Sequence, residues 1–290
     1  MKTKRPSLIS RRDFLACLLR QAAACALGLA AGLPRPAAAL DAELARGVVW
    51  QLDNAHLDPR GEWDKLGARE LLIQWLAVED VAFTNGTDLP APHIPDWPRI
   101  ARETWASRVI LGLAGMMDER KARANIDALI ERSLRIAANR PPLRFSGWYF
   151  PVEIDPTWTT APRIAPQLNR LPRPLWVSVY DNSNIGGKTL ADWLADWLPS
   201  DIGVFFQDGC GLHTRDAATA RSYAEALTER LGRKRLRLIA EAFRPKAEGG
   251  FRAATANELR PQLLAYRNYP VYIFDGPHFL PPALVRELEG

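Results

Sequence analysis

Residues 144–158 read RFSGWYFPVEIDPTW. An apolar, aromatic run with the composition of a buried strand ends abruptly in carboxylates, Glu153 and Asp155, with Trp158 just beyond. The same signature recurs downstream: LWVSVYDN at 175–182, IGVFFQD at 202–208, RLIAE at 237–241 and VYIFD at 271–275. It also recurs upstream as GVVWQLDN at 47–54, ELLIQW at 70–75 and RVILGL at 108–113. Eight such runs give eight predicted strands: 47–52, 70–75, 108–113, 144–152, 175–180, 202–206, 237–240 and 271–274. Their near-continuous hydrophobicity is that of parallel strands covered on both faces.

Helical stretches lie between them. Residues 118–139 place Ile126, Leu129, Ile130, Leu134 and Ile136 on one stripe, with Asp118 as a cap. Residues 214–231 follow with Asp216 near the start and Gly232 after the end. Shorter helices are predicted over 189–198 and 256–266. The first crossover, 59–66, has room for about two turns. Alternating strands and helices predict parallel βα units, and eight of them predict a single (β/α)8 TIM barrel over residues 40–290. A doubly wound dinucleotide fold would need a Gly-rich turn after the first strand, and WQLDNAHLDPRGEW is not one. GGKT at 186–189 lacks the first Gly of a phosphate loop.

Residues 1–39 read as a twin-arginine signal peptide. Ser10-Arg11-Arg12-Asp13-Phe14-Leu15 precedes an Ala-rich apolar stretch to Leu33, broken by Pro34 and Pro36, and Ala37-Ala38-Ala39 supplies small residues for cleavage. The stretch is short and carries Arg20, so no stable membrane span is expected in the mature form. The expected location is periplasmic or secreted, with the twin-arginine translocase as the partner during export. This leader holds seven of the 38 bases and one of the 33 acids. The remainder is close to neutral, which removes the electrostatic case for nucleic-acid binding. Two of the three cysteines also lie in the leader, leaving Cys210, which has no sequence-level base partner and reads as an inert apolar residue.

In a barrel of this kind the chemistry collects where strands end at their C-termini. The polar and aromatic residues expected there are Gln51 and Asp53; Gln74 and Trp75; Trp148, Tyr149, Asp155 and Trp158; Tyr180, Asp181 and Asn182; Gln207 and Asp208; Arg244; and Asp275. Acids and amides bind hydroxyls, and ten Trp in the chain offer stacking faces, so a poly- or oligosaccharide is the expected ligand. Glu153 and Glu241 close the fourth and seventh strands. By analogy with glycosidases of this fold, Glu153 is the candidate acid/base and Glu241 the candidate nucleophile. An acid pair drawn from Glu153, Asp181 and Asp208 is the rival assignment. The four histidines, His56, His93, His213 and His278, show no HxH or HExxH spacing, so neither a metal nor any other cofactor is expected, and a metal-dependent hydrolase or deacetylase ranks third. A non-catalytic saccharide-binding barrel, accessory to exopolysaccharide production or export, is the alternative to a glycoside hydrolase.

ELLIQWLAVED, GWYFPVEIDPTW, WVSVYDNSNIGG, VFFQDGCGLH, IAEAFRP and YIFDGPHFL together resemble the bacterial domain-of-unknown-function family 4434. The resemblance spans about residues 47–281 and implies a glycoside-hydrolase-like TIM barrel. It implies the fold more firmly than any reaction. In many glycosidases of this fold Asn precedes the strand-four Glu, whereas this chain has Val152.

Overall fold

The structure is a computed structural model that describes residues 43–290. The leader expected over residues 1–39 lies outside the described residues.

Eight parallel strands close into a barrel: β1 (Gly47–Trp50), β2 (Glu70–Ile73), β3 (Arg108–Gly112), β4 (Phe145–Ile154), β5 (Leu175–Val179), β6 (Ile202–Gln207), β7 (Leu236–Glu241) and β8 (Val271–Phe274). Neighbours in sequence are neighbours in space, and β1 pairs with β8 through Gly47↔Tyr272 and Val48↔Ile273 to complete the ring. All eight strands and the barrel expected from the sequence are present.

Side chains alternate in and out along each strand, and contacts between non-adjacent strands identify the inward set. Phe205 of β6 meets Tyr149 of β4 and Tyr272 of β8 edge-on, with centroids 5.5 and 4.9 Å apart. Below this layer, at the N-terminal end of the strands, Glu70 of β2 is an ionic hub. It pairs with Arg46 at 2.7 Å and Arg108 at 3.1 Å, and accepts from the Tyr272 hydroxyl. Arg237 of β7 lies 3.9 Å above the Trp176 ring and donates to the Tyr272 hydroxyl at 2.7 Å. The floor of the barrel is therefore plugged by packed aromatics and paired charges.

The connecting segments modify two expectations. The 118–139 stretch is not one helix. Asp118 accepts from the Arg120 and Lys121 amides and starts α1 (Glu119–Ala124), but Asn125 leaves helical geometry at φ −120°, ψ 29°, and α2 (Ile126–Ala138) begins afresh. In place of a two-turn helix, the first crossover holds only a 3-10 turn over Trp63–Leu66. That turn is held by burial of Trp63 against Trp105 (4.7 Å) and by its indole N–H on the Leu280 carbonyl (3.0 Å). A short helix that was not expected, α3 (Ala165–Arg170), joins β4 to β5, while three others stand close to expectation: α4 (Gly187–Trp197), α5 (Ala217–Leu231) capped by Asp216, and α6 (Ala256–Ala265) opened by a Thr255–Glu258 capping box. Two small additions escaped the pattern: a three-stranded sheet from 77–78, 81–82 and 114–115, and a hairpin pairing Phe243–Pro245 with Phe251–Ala253. Among the described residues, no helix is long and apolar enough to cross a membrane.

Candidate functional site

β4 runs to Ile154, two residues further than expected, so Glu153 sits inside the strand. The cause is local. Pro151 has no amide hydrogen to give to the ladder, and the register slips there: Phe150 pairs with Val177, yet Glu153 pairs with Ser178, the very next residue of β5. This bulge aims the Glu153 side chain inward. Gln207 of β6, two strands away, donates to Glu153 Oε2 at 3.1 Å and to Ser178 Oγ at 2.8 Å across the top of the barrel. The Glu153 backbone is fixed from outside: its amide donates to Glu119 Oε2 (3.0 Å) and its carbonyl accepts from Arg123 (2.9 Å).

Glu241 closes β7 and is equally buried. The Gly211 amide donates to its Oε2 at 2.7 Å. A Cβ on Gly211 would fall 2.6 Å from the Phe243 ring and 2.8 Å from Glu241 Oε2, so the close approach requires glycine. Tyr180 directly follows β5 and is buried. Burial, then the charge of Glu241 and more weakly that of Glu153, push its phenol far above the ordinary tyrosine range. Its hydroxyl shares a 2.7 Å hydrogen bond with Thr214 Oγ1.

Several expected site residues are instead braces beneath the mouth. Asp208 is fully buried and accepts from the amides of Cys210 and Glu241 (3.2 Å each), from Gln262 and from the Tyr266 hydroxyl (3.1 Å). Asp181 accepts from the Ser183 and Ile185 amides and the Tyr223 hydroxyl. Asp155 ties Thr157 to the Asn182 amide, joining the loops after β4 and β5. Arg244 spends its guanidinium on the Glu241 and Phe243 carbonyls and Gln262. Asp208 accepts four such bonds and Asp181 three, so both serve poorly as members of the rival acid pair drawn from Glu153, Asp181 and Asp208. Asn182 itself is exposed on the rim. Burial, then the Asp208 charge, push the Cys210 thiol far up, which suits an unreactive cysteine.

Gln51 and Gln74 directly follow β1 and β2 and are both buried. The Gln51 amide donates to Asp275 Oδ2 at 2.8 Å, while Gln74 Oε1 is buried without a hydrogen-bond partner.

The expected tryptophan walls are corrected. Seven of the ten Trp are buried. Trp148 lies at the start of β4 against Phe145 (4.7 Å), three register steps below the bulge. Tyr149 belongs to the interior layer with Phe205. Trp75 is buried with its indole N–H on the Leu52 carbonyl (2.7 Å). Trp158 is half-buried under Arg123 (5.3 Å) and lines a lateral groove of about 500 Å³ rather than the mouth. The aromatics packed beside Glu241 are phenylalanines: buried Phe243, with half-buried Phe251 at 5.0 Å and buried Phe279 at 5.5 Å. Reading aromatics only at strand ends missed Phe251 and Phe279, which arrive on the hairpin and on a turn after β8.

Also missed was a histidine cluster. His56, on the loop after β1, and His278, on the one-turn helix Gly276–Phe279 after β8, stand with ring centroids 4.0 Å apart. Asp53 bridges them, at 3.0 Å to His56 Nδ1 and 3.2 Å to His278 Nε2. Asp275 Oδ2 holds His278 Nδ1 at 2.8 Å. Burial opposes charge on His278, but Asp275 and then Asp53 outweigh it and push the imidazole up to about 10. Burial likewise opposes charge on Asp53, and His278 and His56 outweigh it, drawing the carboxyl down to about 2. The sequence offered no spacing signal, because β1 and β8 meet only when the ring closes.

A separate cleft of about 690 Å³ opens at the opposite end of the barrel, lined by Arg46, Arg233, Lys234, Arg237 and Arg267 among others. It lies below the Glu70 hub, far from the glutamates. On this fold the C-terminal face carries the chemistry, so the end of the barrel that holds Glu153 and Glu241 is the candidate site.

No family model matches the chain, and no curated protein matches it either. Among solved structures it is similar to a proposed alpha-L-fucosidase from Bacteroides thetaiotaomicron VPI-5482, with a TM-score of 0.55 at 16% identity, covering 92% of this chain and 96% of that one. At that identity the likeness is one of fold, and the fold of this chain is the TIM barrel.

Proposed function

We propose that this chain is an exported glycoside hydrolase acting on a poly- or oligosaccharide, with Glu153 as acid/base and Glu241 as nucleophile. One observation carries the reading: buried Glu153 of β4 and buried Glu241 of β7 are both held by the end of β6 and the loop after it, through Gln207 Nε2 and the Gly211 amide. A retaining glycosidase needs two carboxyl groups about 5–5.5 Å apart on either side of the scissile bond. Protonated Glu153 gives its proton to the leaving oxygen as that C–O bond breaks, while Glu241 Oε attacks the anomeric carbon. Glu153, now a carboxylate, takes a proton from water as the water displaces Glu241. The Gly211 amide orients the nucleophile, and Gln207 orients the acid.

The structural neighbour's description as a fucosidase makes an aryl α-L-fucoside the first substrate to test, followed by a polysaccharide panel. Wild type should release sugar, and Glu241→Gln should lose at least about 10³-fold in kcat with unchanged circular dichroism. Full turnover in Glu241→Gln overturns the assignment. The hydrogen bonds already holding both carboxylates favour a second reading, a non-catalytic saccharide-binding barrel accessory to exopolysaccharide production or export. Wild type that binds glycans without cleaving any gives that result.

Export through the twin-arginine translocase, to the periplasm or beyond, belongs to the same proposal and rests on Arg11-Arg12 and the Ala-rich stretch behind them. Replacing both arginines by lysine should leave the protein in the cytoplasm. Membership of family 4434 is proposed on the six quoted stretches.

A further inference from the structure

We propose that Asp53, His56 and His278 form a binding site for one divalent transition-metal ion of the zinc class at the rim of the barrel mouth. The three residues offer ligand atoms that all lie within 4.8 Å of one another. Two imidazole nitrogens and one carboxylate oxygen are the donor set of zinc and its neighbours, whereas magnesium and calcium select oxygen. Bonds of about 2.0–2.2 Å in a tetrahedral shell put ligand atoms roughly 3.3 Å apart. A single Asp53 oxygen, Oδ2, lies 3.2 Å from His56 Nδ1 and 3.2 Å from His278 Nε2, which matches that spacing.

The surroundings point the same way. Asp275 is almost wholly buried, and its Oδ2 sits 2.8 Å behind His278 on the ring nitrogen that faces away from the cluster. A carboxylate in that position fixes the ring and raises its basicity toward a metal. The same oxygen accepts from the Gln51 amide, so the carboxylate is itself anchored to the barrel. Asp275 Oδ1 is buried with no hydrogen-bond partner. Among the described residues, the ion pairs of Asp53 and Asp275 run to histidines alone. His56 is 41% exposed at its side chain, so an ion can enter from the mouth, and three protein ligands leave room for water or a substrate hydroxyl.

This site stands independently of the glycosidase assignment, because its test reads metal rather than turnover. The intact protein is stripped with chelator and titrated with Zn2+, and bound metal is counted by mass spectrometry alongside calorimetry. One Zn2+ per chain is expected, with a raised thermal midpoint. His56→Ala and His278→Ala should each lose stoichiometric binding. Asp275→Asn should keep the stoichiometry and weaken affinity by about 10–100-fold. Because His56 is half out of the fold, the circular dichroism and metal-free thermal midpoint of His56→Ala should match wild type, which keeps the test decisive if His278→Ala misfolds. No stoichiometric uptake by wild type, uptake unchanged in His56→Ala, or equal affinity for Mg2+ would each overturn the proposal.

Discussion

Gln207 Nε2 lies 3.1 Å from Glu153 Oε2, joining β6 to β4 over the head of β5. The amide also holds Ser178 at 2.8 Å, so its orientation is set from below and its remaining hydrogen is committed to the glutamate. Gln207→Ala should leave the fold intact but free the Glu153 carboxyl to swing. A displacement of about 1 Å at a reacting group costs on the order of 10²-fold, and the loss is expected in kcat, measured on whichever glycoside wild type cleaves. An unchanged kcat would reduce Gln207 to packing.

Gly211 makes a sharper case. Its amide holds Glu241 at 2.7 Å, and an added methyl would strike both that carboxylate and the Phe243 ring. Gly211→Ala should lower stability by about 1–3 kcal/mol through overpacking and lower kcat by more than that loss can explain. Chemical denaturation and initial rates on the same preparation separate the two effects.

Asp208 answers to stability alone. Removing it leaves the Glu241 and Cys210 amides, Gln262 and Tyr266 without their acceptor, at about 1–3 kcal/mol for each buried group left unpaired. Asp208→Ala is expected to lose more than about 3 kcal/mol, seen as a lower urea midpoint at unchanged slope. A loss below about 1 kcal/mol would show that water replaces the carboxylate.

Glu70 sets the acid limit of the fold. Burial opposes its charge, but the Tyr272 hydroxyl, then Arg237 and Arg46, outweigh burial and hold its carboxyl below the usual range. A carboxylate with a depressed folded-state value contributes stability above its unfolded value, about 4.3, and loses it as pH falls through the folded value. Wild type should therefore be fully supported at pH 6 and weaken below about pH 4.3. Glu70→Gln should be less stable by about 3 kcal/mol at pH 6, and its stability should fall less steeply between pH 5 and 3. Parallel pH profiles for the two proteins would remove Glu70 from the account.

Much of this was legible in the chain. Strands announce themselves when both faces are buried, so β2 (ELLI) and β8 (VYIF) stand out. A TIM barrel follows from counting them, and Glu153 and Glu241 follow from their position at strand ends. Orientation was not legible. The slip after Pro151 turns Glu153 inward, while Trp148, five residues earlier, packs against Phe145 low on the strand. Composition cannot tell a stacking Trp from a core Trp, because the same apolar area serves both. Nor could spacing reveal His56 beside His278, or Asp181 consumed by the turn it builds.

The bond from the Gln51 amide to Asp275 joins residues 224 positions apart in the chain. It spans the seam where the first and last strands meet, so it can form only once the sheet has curled fully round. Contacts of such sequence separation cost the most loop entropy and come late in folding. A chain truncated after Phe274 would keep β8 to pair with β1 but lack Asp275 and His278, leaving the Gln51 amide, Asp53 and His56 without those partners. Hydrogen exchange at Gln51 thus gives a direct clock for the moment the cylinder shuts.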